Sequence, residues 1–446
     1  MQIDPIAEAQ ISRLTKSTAY KKIQIKVRII FVFTLIALMI AGFVWPYSFG
    51  LILVGLAFLN YFVLLSFRLS NIEKPKPSLL DVPDEEIDTL SLSVILPLKN
   101  EGLVIKETIE AIQRQIYPAS QVEILIIVEK SDDYTQNILQ GIALPFNARI
   151  VLIPSMNPFT KGRALLYGLN EAKNEIITVF DAESRPEPGQ FAKALTILEA
   201  DPNQYCIQAK VRISNKDFNW ITRNFAVEYF EWFEQFLQEL SNKNLNFGLG
   251  GNSFYVSKSN LLKCGAWDPF NVTEDAELSV RLIQSGVKLK LMDSFTYESC
   301  PDTIGNWLLQ RVRWDKGLLI TQMVHLVPSF NKNGFNYRQW TGFWLRMVAG
   351  TLLPFFNLYV FLYFIFAWFT PRVALYADLA MWTLMTVSIA FMLILNIVSF
   401  RRLRLNLNPI SLFGGVCGYI SLHILAGFIA FNEYFAQPLK WNNTRH

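Results

Sequence analysis

Four short runs of branched aliphatic residues, each ending in a polar cluster, constrain this chain most. They are Leu92–Leu98, Val122–Val128, Arg149–Ile153 and Glu175–Phe180, with helical patterns between them such as Leu103–Gln115 and Gly162–Ala172. Strands alternating with helices imply a parallel sheet covered on both faces. Such sheets bind ligands beyond the carboxyl ends of their strands, so chemistry is expected where these runs stop. The first stops at Pro97-Leu98-Lys99-Asn100-Glu101 and the second at Glu129-Lys130-Ser131-Asp132-Asp133. The fourth stops at Asp181-Ala182-Glu183-Ser184. Neither GxGxxG nor GxxxxGK[ST] occurs, which excludes a dinucleotide fingerprint and a P-loop.

Asp181 and Glu183 form a D-x-E pair just past a strand. Two such carboxylates can face one hard cation, Mg²⁺ or Mn²⁺, whose shell substrate phosphates complete. A solvated acidic loop is the plainer alternative. Thr273-Glu274-Asp275 precedes the helical run Ala276–Ser285, where an acid can simply complement the helix dipole. Gly248, Gly250 and Gly251 in Phe247–Ser253 allow backbone to approach a ligand, or make a tight turn. Within Ile304–Met323, Gln310, Arg313 and Trp314 share one face by their spacing. That face suits a phosphate and a sugar, or an amphipathic helix at a membrane surface.

The remaining sequence points to a bilayer. Hydrophobic residues are 52% and charged residues 17%, well below the quarter typical of soluble domains. Ile29–Trp45 and Leu51–Phe67 carry no charge and are separated by Pro46–Gly50, which predicts a transmembrane hairpin over 29–67. Lys16, Lys21, Lys22, Lys26 and Arg28 precede it, and Arg68, Lys74 and Lys76 follow. Positive flanks place residues 1–28 and the linker 68–90 in the cytoplasm. A soluble domain is then expected over 91–335, with interfacial helices expected at 218–240 and 304–323. Apolar runs return at Leu352–Phe369, Ala377–Phe400 and Pro409–Phe435 within a C-terminal membrane region, 336–435, before a tail, 436–446. The glycine-bearing third run can span or fold back. The expected setting is an inner (plasma) membrane, multi-pass, with the soluble domain cytoplasmic. A net charge of +4 gives no reason to expect nucleic acid. Four cysteines without CxxC spacing and three distant histidines indicate neither a zinc site nor a disulfide framework.

In this order, the motifs resemble those of the membrane-integrated glycosyltransferases of family 2, which include cellulose, hyaluronan and chitin synthases. The resemblance runs from Ser91 to Trp314 and extends to the flanking apolar segments. It implies an α/β, GT-A (Rossmann-like) domain beside transmembrane and interfacial helices, acting on a nucleotide-diphosphate sugar, with a UDP-sugar expected. It also implies that Pro97, Asn100, Glu101 and Glu129 line the nucleotide pocket with Lys161, and that Asp181 and Glu183 match the DxD pair. By the same resemblance Asp275 is the catalytic base, and Gly250, Gly251, Glu274, Gln310, Arg313 and Trp314 meet the substrates. The pair is D-A-E where D-A-D is usual, and the second strand ends in Glu129 where Asp is usual, which looks nearest the bacterial XagB-like branch. The tail residues Trp441, Thr444 and Arg445 are similar to a W-x-T-R element that helps hold diphosphate. One base with direct displacement predicts inversion at the anomeric carbon. The product is expected to be a polysaccharide, with a glycolipid carrying one added sugar as the alternative. A non-enzymatic receptor or transporter would leave the ordered acids unexplained.

Overall fold

The aliphatic runs become neighbouring strands, covered on both faces at the centre of the sheet and on one face at the β3 edge, where Ile150 and Leu152 are exposed. In the computed structural model, β1 (Leu92–Leu98) is buried at every position. It pairs in parallel with β2 (Val122–Glu129), which pairs in parallel with β3 (Ala148–Ile153). On its other side β1 pairs in parallel with β4 (Ile176–Val179). The described residues are 90–325 apart from 103, 157, 158 and 200, then 375–406, 412 and 414–436, with 33 and 55 isolated.

Successive side chains of β1 enter opposite cores, as the pleat requires. Ile95 joins Leu125, Ile127, Leu165 and Leu169 on one face. Val94 and Leu96 join Ile109, Ile126, Phe191 and Leu195 on the other. The covering helices are α1 (Ile105–Gln113), α2 (Asp133–Gln140), α3 (Lys161–Glu171) and α4 (Gln190–Glu199). A strand covered on both faces reads as an unbroken apolar run, which is why these strands were visible in the sequence.

Beyond β4 the sheet departs from the expected all-parallel arrangement. Four further strands follow: β5 (Arg185–Pro186), β6 (Tyr205–Ile213), β7 (Phe254–Ser257) and β8 (Lys288–Glu298). The order across the sheet is β3-β2-β1-β4-β7-β6-β8-β5. β7 is antiparallel to both β4 and β6, while β8 is parallel to β6 and antiparallel to β5. The reversal has a consequence for the site. Because β7 runs backwards, the segment before it meets the carboxyl end of β4, and Ser253 N–H donates to Val179 C=O at 2.7 Å. The glycine loop Gly248–Gly251 therefore reaches the same end of the sheet as Asp181.

The aromatic stretch expected at 218–240 is α5 (Trp220–Tyr229), a π-helical turn over Phe230–Phe236, and α6 (Leu237–Asn242). Its rings divide between two environments. Phe225, Phe233 and Phe236 are buried in protein, whereas Phe218 is 71% exposed. Next come α7 (Lys258–Cys264), α8 (Glu274–Gln284) and α9 (Ile304–His325). The apolar run at 377–400 lies in α10 (Leu375–Arg402), and the last run gives a π-helical turn, Gly414–Tyr419, then α11 (Ile420–Ala436). Side chains over much of the first half of α10 lie outside the described residues. Among the described residues, no helix is long and apolar enough to cross a membrane. Apart from residues 33, 55, 90 and 436, the hairpin expected at 29–67, the linker 68–90, the run at 352–369 and the tail lie outside the described residues.

Buried ion pairs join these helices. Lys316, fully buried on α9, donates to Glu433 of α11 at 2.8 Å. Glu277 of α8 receives a fork from Arg281, and His325 Nε2 at the end of α9 lies 3.0 Å from Glu277 Oε1. Burial alone would raise the Glu277 carboxyl, but Arg281 and His325 outweigh it and hold it at about 2. A depressed folded value gives stability that is present above the unfolded carboxylate range and lost as pH falls toward 2. The contribution is about 3 kcal/mol at neutral pH. Thermal melting followed from pH 5 to pH 2 is expected to fall steeply in the native chain. Glu277→Gln is expected to melt lower at pH 7 and to show a shallower acid slope.

Candidate active site

Three pieces of backbone bring the acids together. The turn after β4 carries Asp181 and Glu183 on either side of Ala182, which is fully buried and whose carbonyl accepts from Thr108 Oγ1 at 2.5 Å. The turn is closed by Asp181 N–H donating to Ser184 Oγ at 3.1 Å. Ser184 in turn donates to Glu298 Oε1, the last residue of β8, at 2.6 Å. Asn252 Nδ2, beside the glycine loop, donates to the same oxygen. Glu298 therefore fastens the D-A-E turn to the glycine loop. Sequence reasoning missed it, although a carboxylate ending a strand was the pattern already noted on other strands.

These carboxylates repel one another. Burial, then Glu183 and Asp181, push Glu101 up to about 8. The same causes in the same order push Glu298 well above the usual carboxylate range. Lys161 offsets part of this. Thr160 caps α3 and places Lys161 at its first turn, where Nζ donates to Asp181 Oδ1 and, at 2.8 Å, to Gly251 C=O. Glu274 Oε1 lies 4.0 Å from the same nitrogen. Burial would lower the Lys161 value, but Asp181, Glu274 and Asp275 overcome it and raise it above the ordinary lysine range. Gly162 lets α3 close in, since a Cβ there would stand 2.8 Å from Asp268 C=O and 3.3 Å from Glu274 Cβ.

Asp275 lies in the first turn of α8, after Thr273 and Glu274. Burial raises its carboxyl, and Lys161, the first-turn N–H groups and Arg313 oppose that rise. Glu274 is pushed up to about 7 by burial, then drawn down by Lys161 and raised by Asp275. Gly251, at φ +86°, faces Asp275: a Cβ there would stand 3.3 Å from Oδ2. The residue type at this position follows from both facts, because an L side chain would be strained and would crowd the carboxylate. Gly250 N–H donates to Gln208 Oε1 at 2.9 Å, with Phe233 against its α-carbon.

Helix α9 completes the site. Arg313 lowers the Glu101, Glu274 and Asp275 carboxyls, so its charge faces the acids. The Gln310 amide oxygen is buried without a hydrogen-bond partner among the described residues. Trp314 lies farther round, on a shelf of Phe225 and Tyr229, each 6.3 Å away between ring centres. The structure thus gathers Glu101, Lys161, Asp181, Glu183, Gly251, Glu274, Asp275 and Arg313 at one end of the sheet.

Glu129 and Asn100 belong to a neighbouring cluster. Glu129 Oε1 accepts from buried Arg163 at 2.7 Å, and Arg163 also donates to Pro154 C=O at 2.7 Å. Asn100, at φ +57°, donates its N–H to Asp132 at 2.7 Å. Pro97 sits within β1 opposite Ile127. Trp441, Thr444 and Arg445 lie outside the described residues.

A divalent cation can be held here by the chemistry of the donors. Asp181, Glu183 and Glu101 are hard oxygen ligands in a field that a cation would relieve. Among the described residues no three acidic, His or Cys side chains are already gathered around one metal position. Mg²⁺ needs only one or two carboxylates when phosphates supply the rest. The donor set therefore fits.

The mixed sheet is that of a GT-A-like fold, as a solved structure shows. The mannosyltransferase PcManGT of Pyrobaculum calidifontis, solved with GDP-Man and Mn²⁺, superimposes with a TM-score of 0.59 at 17% identity. The match covers 87% of this chain and 98% of that one. Residues 91–317, just over half of the chain, match the family described as glycosyltransferase like family 2, and the chain belongs to that family. Among curated relatives, "Probable glycosyltransferase YdaM" of Bacillus subtilis is 27% identical over 55% of this chain and 58% of its own. The β-monoglucosyldiacylglycerol synthase of Trichormus variabilis is 27% identical over 51% of this chain and 48% of its own. The chain thus spans about half the length of these relatives.

Close approach of α9 to the Thr273 turn generates a prediction. A Cβ on Gly317 would overlap the Thr273 side chain. Gly317→Ala gains helix propensity but forces the turn that carries Asp275 to move. Overpacking of this kind costs about 1–3 kcal/mol. A lower melting temperature is expected, together with a fall in sugar transfer larger than the fall in folded fraction.

Proposed function

We propose that this chain is an inverting glycosyltransferase that moves a sugar from a nucleotide-diphosphate donor, a UDP-sugar in the simplest case, to an acceptor hydroxyl. The observation that carries the reading is the Asp275 carboxylate. It is half-buried, its carboxyl is raised above the ordinary value by desolvation, and it is set against Gly251 across from the Lys161–Asp181 pair. A base with an elevated value accepts a proton more readily in the transition state. Asp275 takes the acceptor proton as the hydroxyl oxygen attacks the anomeric carbon from the face opposite the leaving diphosphate. One displacement inverts the configuration.

Asp181 and Glu183 would hold Mg²⁺ or Mn²⁺. When bound, that ion neutralises charge developing on the leaving diphosphate. Lys161 orients Asp181 and Gly251 for this, and Arg313 supplies further positive charge. Trp441, Thr444 and Arg445 would join at the diphosphate, and Pro97, Asn100, Glu101 and Glu129 at the nucleoside. Trp314, with Gln310 beside it, is the platform for the acceptor sugar, since a sugar's apolar face stacks on an aromatic ring. The acceptor is a growing polysaccharide at the cytoplasmic face of a membrane. Support for the membrane comes from the uncharged runs 29–45 and 51–67 and their basic flanks. A glycolipid acceptor is the second reading, favoured by the synthase from Trichormus variabilis.

Asp275→Asn tests the base. It preserves size and helix capping while removing the proton acceptor. Transfer is expected to fall about 10²–10⁴-fold, with nucleotide affinity and melting temperature near native. Transfer at the native rate by a folded variant would show that Asp275 only caps α8. Chelation is expected to stop transfer, with recovery on adding Mn²⁺ or Mg²⁺. Sizing the product from a panel of labelled nucleotide sugars separates the two acceptors: a ladder means polymer, a single added sugar means glycolipid.

A further inference from the structure

The Gln310–Trp314 stretch contains an arginine that the reaction above does not use. Arg311 is 5% exposed and points away from the acids. Its Nη1 and Nη2 donate to Glu228 Oε1 at 2.5 Å and Oε2 at 2.6 Å. A two-pronged pair of this kind fixes the guanidinium plane as well as its charge. Glu228 Oε2 also accepts from the Tyr419 hydroxyl at 2.7 Å, and that hydroxyl accepts from Trp307 Nε1 at 3.0 Å. The 414–419 turn can come this close because Gly415 has no side chain to strike Asn224 of α5.

The plane so fixed is surrounded by rings. Its carbon lies 4.5 Å from the centre of Trp314, 4.6 Å from Phe225 and 5.3 Å from Trp307. Cation–π attraction is stronger where the cation is out of water. Trp314 also meets Phe225 and Tyr229 at tilted angles, within a mixed aliphatic and aromatic cluster. We infer that Arg311 is a positioning residue: clamped by Glu228 and Tyr419, its guanidinium holds the Trp314 ring in the orientation that receives the acceptor sugar. The inference rests on the reading of Trp314 as the acceptor platform. It also gives the C-terminal segment a part in acceptor binding, through Tyr419.

Fluorine NMR of the full chain in lipid nanodiscs, labelled with 5-fluorotryptophan, tests it. The Trp314 line is assigned by its loss in Trp314→Phe. Trp267, buried in the catalytic core beside Phe254, is the control. In Arg311→Met and in the milder Tyr419→Phe, the Trp314 line is expected to shift or split while the Trp267 line stays. Methyl β-cellobioside, used as a glycan probe, is expected to perturb the Trp314 line of the native chain. Its half-saturation should rise about tenfold in Arg311→Met, with nucleotide-sugar affinity unchanged. An unmoved Trp314 line in both folded variants would overturn the inference. So would joint movement of the Trp314 and Trp267 lines, which would make Arg311 a support of the whole fold. Should the native Trp314 line ignore the probe, the platform reading fails, and the inference fails with it.

Discussion

Burying several carboxylates beside one lysine is the constraint on which this structure depends. Glu274 and Glu298 are buried and Glu101, Asp181 and Asp275 half-buried, and withdrawing such acids from water is costly without compensation. Lys161 supplies some, bonded at once to Asp181 and to the Gly251 carbonyl. Its position needs the cap at Thr160, the glycine at 162 and the antiparallel return of β7, and each of these serves the same contact. What remains uncompensated appears as the elevated values of Glu101 and Glu298. A fold that kept those groups only for stability would be better served by apolar residues of similar volume. Perturbed acids of this kind gather at functional sites.

The sequence made one half of this legible. β1 and β4 are buried at every position and mostly apolar, with only Ser93 and Thr178 polar, and the acids that follow them stood out by contrast. The other half was hidden for a physical reason. β6 buries Gln208 and Lys210 in its middle, which breaks the apolar run. Those side chains are satisfied by partners far along the chain: Gln208 by the Asn252 carbonyl and the Gly250 N–H, and Lys210 by Asp293. No local pattern announces such pairings. Glu298 was lost with them, because its role depends on β8 lying beside β6. Asp275 could be singled out only by its place in an order of motifs, since an acid in the first turn of a helix has an ordinary explanation.

Glu129 shows the opposite relation between sequence and structure. Its position at a strand end marked it as a ligand-facing acid. In the folded chain its carboxylate is engaged by Arg163, which comes from the same first turn of α3 that delivers Lys161. One helix end thus serves two acidic clusters, with Lys161 turned to the D-A-E side and Arg163 to the β2 side. Moving α3 would disturb both, which gives a single element control over the geometry on either side of β1.

Helix α9 works in a comparable way on the other side of the site. Successive residues of an α-helix are turned about 100° apart, so Arg311 and Arg313 point roughly opposite ways. Arg313 acts on the acids, and Arg311 is paired with Glu228 of α5. Trp314 lies one turn beyond Arg311 and beside Arg313, at the boundary between the two environments. Farther along, Gly317 presses on Thr273 and Lys316 binds Glu433. One helix thus touches both the C-terminal segment, through Lys316, and the turn that holds Asp275, through Gly317. Trp314 and Asp275 stand on different helices, α9 and α8, so their separation is set by how those two helices pack, and they meet where Gly317 lies against Thr273.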